Sequence, residues 1–104
     1  MQELQNLYDR CESLPIPDKG EEEELDEQIF MVIDLETMIM AYAEASLKNI
    51  KPNFSLDGDN IEKLQRNVGR FQGLSESDQV VQRQLLEKLS VLKEIRNLLT
   101  QSAL

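Results

Sequence analysis

The chain has 104 residues, 40% of them apolar and 30% charged, with a formal net charge of −9. This length suits one domain with a modest core, and the composition excludes a disordered chain. Acidity argues against a direct grip on nucleic acid, which depends on neutralising phosphates. The lack of histidine removes the commonest general base, metal ligand and near-neutral pH switch together.

The charge is uneven. Residues 1–45 hold thirteen acids and two bases, a balance of −11, whereas residues 46–104 hold seven acids and nine bases, a balance of +2. An acidic half of this kind attracts a basic partner or the chain's own C-terminal half. The single Cys11 has no internal disulfide partner and reads as a small buried hydrophobe on an apolar stripe. Residues 1–14 lack the basic and apolar runs of a secretory signal, so the cytoplasm is the expected location.

In chain order, Leu4, Leu7, Tyr8, Cys11 and Leu14 recur at helical spacing, predicting a short amphipathic helix over residues 2–14. Such a helix is marginal alone and has to dock. Pro15-Ile16-Pro17 stops it, because proline removes a donor and bars the preceding residue from helical geometry. Residues 15–20 are therefore a connector.

Glu21, Glu22, Glu23 and Glu24, followed by Glu27, open the next helix, where carboxylates favour the positive end of the helix dipole. Asp18 is its candidate cap. Consecutive glutamates point in different directions and do not converge on one ion. This acidic face is one candidate binding surface.

Residues 25–50 are apolar over more than half the helix circumference. Leu25, Ile29, Val32, Ile39, Met40, Ala43, Leu47 and Ile50 share one face, and Met31, Leu35, Met38 and Tyr42 widen it. Only a strip through Asp34, Thr37, Ala41, Glu44 and Lys48 suits water, and a helix so apolar is surrounded by partners. Asp34, Glu36 and Glu44 make a membrane span too costly. Glu36 lies amid the apolar face, where a carboxylate needs a cation. Arg66, Arg70, Arg83 and Lys88 are the candidates for an internal pair that sets helix register. Half-exposure by helix rotation and recognition of a partner's basic residue are the other readings. The methionine-rich strip Met31, Leu35, Met38 and Tyr42 is either core or the surface for a partner or a second copy, since methionine adapts to irregular contacts.

Lys51-Pro52 is expected to end this helix. The loop that follows holds Asn53, Ser55 and Asp57 before Gly58, resembling half a calcium loop. It lacks the acidic twelfth position, which is Leu64, so a turn in which Asp57 or Asp59 caps the next helix is the better reading. Ile61, Leu64, Val68 and Phe71 mark that helix, with Gly73 as its expected terminator. Ser75 or Ser77 caps the last helix, whose seam is Val81, Leu85, Leu89, Leu92, Ile95 or Arg96, and Leu99.

The expected fold is all-α: one domain over residues 1–104, an antiparallel bundle of about four helices (residues 2–14, 21–50, 59–72 and 76–100). Residues 21–104 form its core, centred on a hairpin of the two long helices. No catalytic constellation, cofactor loop or metal motif is present in the sequence. The expected function is a non-enzymatic protein–protein interaction module: an adaptor, assembly subunit or chaperone-like binder working through helix–helix contacts with another protein or a second copy. The alternative is an acidic inhibitor or mimic that competes for a basic site.

Overall fold

A computed structural model of the chain describes residues 2–56 and 60–101. It contains four helices, α1 (Gln2–Ser13), α2 (Glu23–Leu47), α3 (Ile61–Gly69) and α4 (Glu76–Gln101). Their apolar stripes converge on one core. Leu25, Ile29, Val32, Ile39 and Ala43 of α2 meet Leu85, Leu89, Leu92 and Ile95 of α4, while Leu4 and Cys11 of α1 and Ile61, Leu64 and Val68 of α3 close the flanks. Each fully buried leucine or isoleucine contributes about 1.5–3 kcal/mol.

The expected all-α bundle around two long helices is present, with a difference in how those helices run. Consecutive helices are antiparallel, but α2 and α4 are not a hairpin: they lie side by side in the same direction. Their starts meet through Asp78 and the amides of Glu21 and Glu22, and their middles through Lys88 and Glu36. The intervening α3 makes the return, and the two short helices flank the long pair without touching each other among the described residues.

Several ends differ from expectation because caps, not prolines, decide them. Helix α2 stops at Leu47, ahead of Lys51-Pro52, because Asn49 takes a left-handed conformation (φ 58°). The amide of Ile50 donates to the Ala45 carbonyl at 2.8 Å and that of Asn49 to the Ser46 carbonyl at 3.1 Å, the paired bonds of a Schellman motif. Ile50, expected on the core face, is consequently outside the helix and exposed. Helix α3 ends at Gly69, with Arg70 as its C-cap, and Gly73 (φ 68°) serves the later turn into α4. Asn60 stands at the N-cap of α3 without a side-chain bond. The proposed caps Asp57 and Asp59, and with them the Asp57-Gly58 end of the calcium-like segment, lie outside the described residues. At α4 the expected serine cap is found: Ser75 Oγ accepts from the Asp78 amide at 3.2 Å.

Polar side chains of α4 close the ends of the other three helices. Asp78 accepts from the amides of Glu21 at 2.7 Å and Glu22 at 2.9 Å, at the positive start of α2, so it and not Asp18 supplies the cap. Gly20 leaves space for that carboxylate, since a Cβ there would stand 2.7 Å from Asp78 Oδ1. Gln82 Nε2 donates to the Val68 carbonyl at 2.8 Å and the Phe71 carbonyl at 3.2 Å, beyond the end of α3. Lys88 Nζ donates to the Cys11 carbonyl at 2.6 Å in the last turn of α1. The anion lies at a helix start and the cation at a helix end, so both charges favour the dipoles they meet.

Candidate functional site

Of the four candidate cations, Lys88 is the partner of Glu36. Its Nζ lies 2.6 Å from Glu36 Oε2, and the lysine side chain is 3% exposed against 24% for the glutamate. The Cys11 thiol donates to the same Oε2 over 3.6 Å. Burial pushes the Cys11 thiol up to about 12; the Glu36 carboxylate adds to the rise, and the Lys88 ammonium partly opposes it. The cluster is an internal junction of α1, α2 and α4. Glu36 is thereby committed within the chain, and the thiol stays protonated at neutral pH, the opposite of an activated nucleophile.

The methionine-rich strip divides along its length. Met31 is 50% exposed, Leu35 is core, and Met38 and Tyr42 are half-buried. At the far end of the strip, the Tyr42 ring meets Phe54 of the loop after α2 in an edge-to-face contact with centroids 5.6 Å apart. On another side of α2 from Met31, Phe30 is 68% exposed, and Ile33, one turn on from it, is exposed as well. The outer positions Asp34, Thr37, Ala41, Glu44 and Lys48 are exposed as expected. Ile33 escaped the sequence reading, although its i, i+3 spacing from Phe30 was available as a signal.

Glu21, Glu22, Glu23, Glu24 and Glu27 are all exposed. The first two precede α2, and the other three lie on its first turns, where Asp26 turns inward and accepts from the Gly20 amide.

Helices α2 and α3 leave a groove between them that joins the two predicted surfaces. Its lower part, a depression of about 640 Å³, is walled by Glu23, Glu24, Glu27 and Gln28 on α2 and by Asn67 and Arg70 on the α3 side. The upper part, about 520 Å³, shares Asn67 and is floored by Met31, Leu35, Met38 and Leu64, with Asp34 and Lys63 at its rims. Oε1 of Gln28 is buried with no hydrogen-bond partner among the described residues, a costly condition for an acceptor. Gln28 and Asn67 were not singled out beforehand, because only the antiparallel approach of α3 brings them to the groove.

Among the described residues, no group of three or more candidate ligands could hold a metal ion, and no helix is long and apolar enough to cross a membrane. The chain matches no known protein-family model, no curated protein and no solved structure compared with it.

Proposed function

We propose that the chain is a non-enzymatic protein–protein interaction module, an adaptor, assembly subunit or chaperone-like binder, that acts through helix–helix contacts. The observation that carries this function is the exposed apolar surface of α2. The helix is packed by α1, α3 and α4 on its other sides, yet it still presents Phe30, Met31 and Ile33 to solvent. Met31 stands with Leu35 and Met38 in a depression that also holds Asp34 and Lys63, and contiguous apolar surface ringed by polar side chains is characteristic of contact surfaces. The buried cluster of Lys88 with Glu36 and Cys11 is engaged in contacts within the chain, which supports a packing role for it. The single free thiol suits a reducing compartment, for which we take the cytoplasm.

A photo-crosslinking residue at Met31 tests this function in cells that produce the protein, with one at exposed Ser90 of α4 as control. Discrete adducts from position 31 alone are expected. Equal adducts from both positions, or none from either, contradict an α2-centred module. The exposure of all five glutamates favours a second reading, the acidic mimic of a basic site. Its binding would collapse between low and physiological salt, whereas apolar helix packing would change little.

A further inference from the structure

We propose that the α2–α3 groove receives a partner's amphipathic helix that carries basic residues at the end lying over the first turns of α2. This inference rests on the interaction-module function and adds the partner's chemistry. Met31, Leu35 and Met38 have i, i+4, i+7 spacing along the groove, which matches the apolar stripe of a helix laid against them. From Glu23 to Met38 the groove follows α2 for roughly 22 Å at about 1.5 Å per residue, the length of a partner helix of about 15 residues.

Charge is what selects the occupant. The groove carries Glu23, Glu24, Glu27 and Asp34 against Arg70 and Lys63, four acids and two bases, a balance of −2. The acids are concentrated at the lower end. The buried Oε1 of Gln28 sits among them as an acceptor without a donor, which a lysine or arginine from the partner would supply after a turn of the amide. A second copy of this chain is the poorer occupant, because each copy brings a net charge of −9 and like charges at a contact oppose association.

The probe is a synthetic amphipathic helix of about 15 residues, leucine-striped, with lysines in one half; its counterpart has glutamates in their place. Both are titrated into the full chain by fluorescence anisotropy. The lysine peptide is expected to bind about tenfold or more tightly than the glutamate peptide, the effect of a few rim ion pairs changing sign. E24K/E27K is expected to reverse the preference, and M31K to weaken both peptides. These side chains are exposed, so the variants should still melt cooperatively, which excludes misfolding, with E24K/E27K melting slightly lower because it reverses charges at the start of α2.

Equal binding of the two peptides, or wild-type affinity in E24K/E27K and M31K, overturns the proposal. So does a dimer seen by light scattering and abolished by M31K, which would give the groove to a second copy. Peptide failure with specific crosslinking from Met31 removes this partner chemistry but leaves the module function standing. Failure of both removes the function as well.

Discussion

Replacing Lys88 with methionine is the sharpest test of how the bundle is held in register. The ammonium contacts Glu36 Oε2 and the Cys11 carbonyl, each at 2.6 Å, and its side chain is 3% exposed. In Lys88→Met the Glu36 carboxylate keeps only the weak thiol donor at 3.6 Å. The Cys11 carbonyl keeps the Leu14 amide at 3.2 Å. Removing one member of a buried pair costs about 3–5 kcal/mol. Glu36 is 24% exposed and can recover some hydration, which places this variant near the lower end, about 3 kcal/mol. For a domain of this size that loss lowers Tm by on the order of 15 °C.

Glu36→Met alone strands the buried ammonium and costs a similar amount. Glu36→Met combined with Lys88→Met exchanges the pair for two apolar side chains and costs about 1 kcal/mol. Urea unfolding of all four proteins, followed by far-UV circular dichroism, measures the coupling. The double variant is expected to fall short of the sum of the singles by about 3 kcal/mol or more. A Lys88→Met cost below about 1 kcal/mol, or additivity of the two singles, would show that the pair does not hold the helices in register.

Three further outcomes follow from the caps and the surface pair. Asp78→Ala removes a carboxylate that is 2% exposed and accepts two amides; it should cost about 2–3 kcal/mol in urea unfolding. Faster amide exchange at Glu21 and Glu22 should accompany that loss, and unchanged exchange there would contradict the cap. Asn49, at φ 58°, should lose about 1 kcal/mol as Asn49→Ala and gain a few tenths as Asn49→Gly, read from thermal melts. The hydrogen bonds from Arg96 hold the Glu62 carboxyl at about 2 against an ordinary 4.5. The unfolded chain therefore takes up more protons in that interval, and the pair's stabilisation is complete above about pH 4.5 and lost as pH falls towards 2. Glu62 is 43% exposed, so solvent screening keeps the effect to about 1 kcal/mol or less. Glu62→Gln should flatten the acid limb of the stability–pH curve by that amount.

Helical periodicity made the four helices and most of the core legible. It placed Leu25, Ile29, Val32, Ile39 and Ala43 on one face, and all are buried. It also marked Glu36 as a carboxylate in need of a cation. It could not choose Lys88 among four bases, because that choice depends on α2 and α4 running parallel, a fact of topology with no local signature. Ends were misplaced where the deciding interaction was subtle or distant. The left-handed Asn49 stops α2 before Pro52, and Asp78 reaches the start of α2 from 57 residues away. The methionine strip was read as a unit, either core or contact surface, but Leu35 is buried and Met31 is open. Periodicity defines a stripe; the neighbour's path decides how much of it is covered.

The central claim is that α4 holds the fold while the α2–α3 groove is free to bind. Hydrogen exchange measured residue by residue, with and without the lysine-bearing helical peptide, tests it most directly. Slower exchange is expected in α2 from Glu24 to Met38 and in α3 from Ile61 to Asn67, with α1 and the outer face of α4 unchanged. Protection centred on α1 or on the exposed side of α4, or none anywhere at saturating peptide, would contradict it.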